Sequence, residues 1–130
     1  GGKAADRARI RAIALAIACE IHPMNNLRVL KYLTDTLKLS EETKNQWYRH
    51  WVDTGLQALE QKLSAEKATG RYCHGERVSL ADVCLIPQLA NARRFSILLD
   101  AYPTLMRIEA NCLALEAFSK AAPQNQPDAE

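Results

Sequence analysis

Residues 75–88 read GERVSLADVCLIPQ, and their order marks the start of a helix. Ser79 is an N-cap type whose hydroxyl can accept the backbone N–H of Asp82, while the Asp82 carboxylate reaches back to the N–H of Ser79. The pair forms a capping box with Asp in place of the more usual Glu. Val78 and Val83 occupy the two positions of a hydrophobic staple around it. Pro87 lies inside the helix that follows and has no N–H for the carbonyl of Val83, so a kink is expected there. A reciprocal cap, a staple and an interior proline make this a folding signal first.

Helical spacing continues on both sides. From Ala4 to about Leu37 apolar residues recur at three and four: Ile10, Ile13, Ile17, Ile21, Val29, Leu30, Leu33 and Leu37. Ser40, followed by Glu41 and Glu42, opens a helix through Trp47, Trp51, Leu56, Leu59 and Leu63 that ends before Gly70. Tyr102-Pro103 suits another start, with proline at the first position, and Leu105, Ile108, Cys112 and Leu115 keep the spacing. The tail APQNQPDAE is expected to be irregular, and the opening GGKAADR reads as a linker. No alternating strand pattern or Asn-Gly hairpin signal occurs. The expectation is one all-α domain over residues 1–130, a bundle of about five helices.

At 130 residues the chain can bury a real core. Seventeen basic residues against fifteen acidic ones give a net charge of +2, without the clustered basic charge of a nucleic-acid or membrane surface. The longest apolar run, AIALAIAC, is far too short to span a bilayer, and no signal peptide is visible. Cys19, Cys73, Cys84 and Cys112 lack CxxC spacing and sit mostly beside apolar residues, which reads as reduced core thiols in a cytoplasmic protein. Cys73, His74 and Cys84 match no zinc-ligand spacing, so no metal is expected.

Two places put polar side chains on apolar ground. In EIHPMNNLRVLKYL, residues 20–33, Pro23 removes one internal hydrogen bond and can free the carbonyl of Cys19. At 100° per residue His22, Asn25 and Asn26 share a face, flanked by Arg28. They can satisfy the freed backbone within the core, or they can bind a ligand. Trp47 and Trp51, four apart, fit a core better than a site. Arg94 falls on the line of Val83, Pro87 and Ala90, read as a buried face, whereas Arg93 points to solvent. An arginine on an apolar stripe needs an anion, either an internal carboxylate or an anionic ligand.

The segments IHPMNNLRVLKYL, GRYCHGERVSLADVCLIPQLANARRF and YPTLMRIEANCLALEAF, with the tail QPDAE, resemble the C-terminal helical domain of zeta-class glutathione transferases. That class includes maleylacetoacetate and maleylpyruvate isomerases. The capping box is common to the superfamily; HPMNNLR, IPQ and ANARRF point to the zeta class. The resemblance implies an N-terminal thioredoxin-like domain that binds glutathione and carries the active-site motif, with no catalytic residue in this chain. It implies glutathione-site positions at His22, Asn26 and Leu27, and substrate-carboxylate positions at Arg94 and Arg28. The implied reaction is cis–trans isomerisation of a maleyl diacid, with glutathione as cofactor, in a cytoplasmic homodimer. Two alternatives stand beside it: a related transferase that conjugates or dehalogenates small α-halo acids, and a non-catalytic helical module for dimerisation. The apolar face that would contact the other domain implies self-association at high concentration.

Overall fold

The structure, a computed structural model, describes residues 2–127; the end of the tail, residues 128–130, lies outside it. Among the described residues every regular element is helical: α1 (Ala4–Leu15), α2 (Leu27–Lys31), α3 (Glu41–Ala65), α4 (Leu80–Arg94), α5 (Pro103–Leu113) and α6 (Glu116–Ala121). The path from Ala4 to Thr36 changes winding four times. A π turn (Ala16–Ile21) leads into a 3-10 turn (His22–Asn25), then α2, then a second π turn (Tyr32–Thr36). The break falls where Pro23 lacks the N–H that would continue the ladder.

The core is built on one stripe of α3: Tyr48, Val52, Leu56, Leu59 and Leu63. Ile13, Ile17 and Ile21 come from the first helical stretch, Ala81, Leu85, Leu89 and Ala92 from α4, and Leu105, Ile108 and Cys112 from α5. α1 packs on α4, and α3 on α5. Trp47 and Trp51 are only half-buried and meet edge to face, ring centroids 5.7 Å apart; the buried stripe runs one residue further on, through Tyr48 and Val52. Gly55 lets α3 approach the π turn. A Cβ there would lie 2.6 Å from Ile21 Cδ1 and nearer still to its Cγ1.

The capping box at the start of α4 forms, and it does more than cap. The Asp82 carboxylate is fully buried; Oδ2 accepts both the backbone N–H and the hydroxyl of Ser79 at 2.8 Å, and Oδ1 accepts the N–H of Cys73 at 2.8 Å. One charge therefore fixes both the helix start and the loop before it. Arg9 holds the same loop from α1, donating to Glu66 (2.6 Å), Thr69 (2.8 Å) and the Cys73 carbonyl (2.7 Å). At α5 the Glu60 carboxylate accepts the N–H groups of Thr104 and Leu105, each at 3.0 Å, supplying the N-terminal cap from across the bundle.

Several expectations change. Val78 and Val83 hold the staple positions but both are exposed, so the staple buries little. Cys73 and Cys112 are core thiols, whereas Cys84 is half-buried and Cys19 is exposed. Burial, followed by the Asp82 and Glu109 charges, pushes the Cys112 thiol up to about 12. The last apolar stretch breaks at Ala114–Leu115 into α5 and α6. The tail then folds back through a 3-10 turn (Pro123–Asn125) whose Asn125 Nδ2 donates to the Ser119 carbonyl at 2.6 Å. No helix among the described residues is long and apolar enough to cross a membrane.

Replacing Asp82 with Ala strands the buried N–H of Cys73 and the part-buried N–H of Ser79, and it should cost about 3 kcal/mol in urea denaturation, against roughly 1 kcal/mol for Ser79→Ala. A loss below 1 kcal/mol for Asp82→Ala would contradict this account of the loop. Gly55→Ala overpacks the contact with Ile21 and should cost about 1–3 kcal/mol; a neutral or stabilising effect would show that the π turn yields freely.

Candidate functional site

Arg93 and Arg94 end α4, and both are exposed: Arg93 faces solvent as expected, whereas Arg94 does not lie on a buried face. Arg93 makes a two-pronged ion pair with Glu109 of α5, each N–O distance 2.5 Å, and the Glu109 side chain is only 7% exposed. The side-chain bond to Glu109 is the main cause that raises the Arg93 pKa, with burial opposing it. Arg94 is exposed and has no hydrogen-bond or ion-pair partner among the described residues. The face read as buried is open: Val83 is 53% exposed, and Pro87 and Ala90 are exposed as well. Residue spacing identified the stripe correctly, but no other element among the described residues covers it.

These residues form one wall of a groove of about 790 Å³ between α4, the end of α5, α6 and the tail turn. Val83, Pro87, Ala90 and Arg94 lie on one side, and Leu113 and Phe118 on the other. The result is a mainly apolar trough with a free guanidinium. Glu109 was missed from the sequence although a signal existed, since it sits four residues after Leu105 and three before Cys112, on the buried stripe of α5.

The other candidate segment lies elsewhere. His22, Leu27 and Arg28 are exposed, and Asn26 is half-buried. Asn25 does not share their surface: it is buried, and its Nδ2 has no partner among the described residues. Azimuths of a single helix do not carry across this stretch, because the chain turns extended at Asn26 (φ −65°, ψ 146°) before α2 begins. Asn26 caps α2, its Oδ1 accepting the Arg28 N–H at 3.1 Å. The Arg94 groove includes none of His22, Asn26, Leu27 or Arg28.

α3 nevertheless holds both segments, through three consecutive residues. Trp47 Nε1 donates to the Met24 carbonyl at 2.9 Å, tying down the 3-10 turn. The Tyr48 ring stacks on Phe95, centroids 3.4 Å apart, directly after Arg94 in the chain. Arg49 Nε donates to the Phe95 carbonyl at 3.1 Å. Burial raises the Tyr48 pKa and the Arg94 charge opposes it. Among the described residues no group of three or more His, Cys, Asp or Glu side chains is placed to hold a metal ion.

The chain is 54% identical over 127 residues to a probable maleylacetoacetate isomerase of Vibrio cholerae, a match covering 98% of this chain and 58% of that protein. It is 43% identical over 122 residues to a maleylpyruvate isomerase of a Ralstonia species, covering 94% of this chain and 58% of the relative. Among solved structures, a holo maleylpyruvate isomerase described as a zeta-class bacterial glutathione S-transferase superposes with a TM-score of 0.96 at 41% identity, over 100% of this chain and 61% of that one. Over nearly its whole length the chain is similar to proteins of the zeta class of glutathione transferases. Its helices reproduce the helical domain of that class, as the resemblance implied. A maleylacetoacetate isomerase of Methylobacterium extorquens AM1, solved with bound malonate and GSH, also superposes with a TM-score of 0.96, at 40% identity over 100% of this chain and 61% of that one. No protein-family model matches the chain. The chain spans about three-fifths of the length of these relatives.

Trp47→Phe keeps an aromatic ring but removes the donor to Met24, and amide hydrogen exchange over residues 22–31 should speed up about fivefold, the loss expected for one net hydrogen bond. Unchanged exchange there would mean that Trp47 does not hold the turn.

Proposed function

We propose that this chain is the helical half of a glutathione-dependent isomerase that converts a maleyl diacid, maleylacetoacetate or maleylpyruvate, to its fumaryl isomer. The observation that carries the reading is Arg94, an exposed guanidinium without a partner among the described residues, at the edge of an apolar groove. A planar, permanently charged fork suits a carboxylate in two-point contact. The names of the relatives support the substrate class, and two solved neighbours hold carboxylate ligands: malonate with GSH in one, dicarboxyethyl glutathione and citrate in the other.

The residues present fit glutathione. A tripeptide with two carboxylates requires exposed donors, and His22 and Arg28 stand exposed at the break before α2. Leu27, 63% exposed, adds an apolar contact beside them, and Asn26 keeps that turn in shape by capping α2. When bound, glutathione supplies the thiol nucleophile that makes rotation about the conjugated double bond possible. The chain's own residues bind and orient. Arg94 anchors one substrate carboxylate, and Arg28 lies on the second segment, suited to a further carboxylate or to developing enolate charge. His22 orients the cofactor through a ring N–H, and the apolar wall limits water around the reacting atoms.

On this reading a thioredoxin-like domain completes the enzyme and supplies the catalytic motif. The assembly is a cytoplasmic homodimer, and the fragment alone does not turn over substrate. In the enzyme carrying both domains, Arg94→Ala should lower kcat/KM for the maleyl substrate about a hundredfold, as expected for losing one partner of a largely desolvated charge pair. Arg94→Lys should recover only part of that loss. Turnover and KM both unchanged in Arg94→Ala would sink the assignment.

A further inference from the structure

Two arginines line the groove, but only one is available. Arg93 gives both guanidinium nitrogens to the two oxygens of Glu109, and its Nη2 also lies 3.6 Å from the Met106 sulfur. The acid is buried and the base half-exposed, 7% against 50%, so the pair is anchored on the α5 side. Arg93, Glu109 and Arg94 all border the same groove. Adjacent residues have Cα atoms about 3.8 Å apart, so two free arginines placed there can reach both ends of a four-carbon diacid.

We infer that Glu109 is a specificity-determining residue: by engaging Arg93 it leaves the groove a single free guanidinium, so the groove takes one carboxylate end of a ligand and lays an uncharged remainder along its apolar wall. The second carboxylate of a diacid must then be met outside the groove, for example on the Arg28 side. This rests on the reading of Arg94 as a carboxylate anchor. The local charge balance supports it, since a neutral Arg93–Glu109 pair adds no long-range pull on a second anion, whereas a released Arg93 would.

Crotonate and fumarate share a trans four-carbon skeleton and differ by one carboxylate, so they serve as the probes. In the ¹⁵N-labelled full chain, arginine Nε–Hε signals are followed during titration with each. In the native chain both ligands should move the Arg94 signal, neither should move Arg93, and the two dissociation constants should agree within about twofold. Glu109→Gln and Glu109→Met release Arg93; in either variant fumarate should gain about fivefold over crotonate, with Arg93 joining the shifting signals. The inference is overturned if fumarate moves Arg93 as much as Arg94 in the native chain. It is overturned equally if a folded Glu109 variant keeps the native ratio. Arg94→Ala tests the underlying reading separately: loss of both ligands supports the anchor, and undiminished binding of both removes it whatever Glu109 does.

Discussion

The Asp82 carboxylate is the constraint on which the placement of the groove depends. A buried charge is tolerable only if its lone pairs are filled, and here three donors from Ser79 and Cys73 fill them. The same three bonds decide where α4 begins and how the loop from α3 returns to it. Arg94 lies twelve residues further on, about 18 Å along the helix axis. Any slip of register at the cap would turn Arg94 by 100° and exchange its surroundings with those of Arg93. A buried acid at one end of α4 thus positions an exposed base at the other.

α3 supplies the second constraint. Its N-terminal half presents Trp47, Tyr48 and Arg49 in succession, and each grips a different feature: the Met24 carbonyl, the Phe95 ring and the Phe95 carbonyl. Successive residues leave a helix 100° apart, so one rod can hold the HPMN turn on one side and the end of α4 on another. The two polar segments do not line the same groove. Their relative position comes from this shared support, which makes α3 the part of the fold that turns two separate polar patches into a potential single site.

What was legible in the sequence follows from the range of each signal. The capping box spans four residues, and its chemistry is local, so Ser79 and Asp82 could be read at once. The all-α architecture came from apolar spacing over long windows. The π turns escaped, because moving the hydrogen-bond partner by one residue leaves composition and approximate periodicity intact. The expectation of a buried Arg94 failed for another reason: spacing tells which side of a helix a residue occupies, but not what covers that side. Val83, Pro87 and Ala90 look like core residues, yet no element among the described residues packs on them. Glu109 took the opposite path. Its position four residues from Leu105 places it in the core, where it needs the cation that Arg93 provides. The site residues of the HPMNNLR segment were legible only by resemblance, since spacing wrongly grouped the buried Asn25 with the exposed His22.

The open groove also bears on the strength of its own chemistry. In water an arginine–carboxylate contact is weak, because both ions are well solvated and screened. The walls around Arg94 are mostly apolar, so any element that closes over Val83, Pro87 and Ala90 removes water from both ions at once and strengthens their attraction. Apolar exposure on α4 is unfavourable for the chain as it stands, and covering it would contribute roughly 25 cal/mol for each Å² buried. Closure of the groove would therefore be driven by the apolar wall, while the gain in binding would appear at the guanidinium. Packing energy at Val83 and Pro87 and recognition at Arg94 become two results of one event, which accounts physically for an apolar stripe and an unpaired cation on the same face of α4.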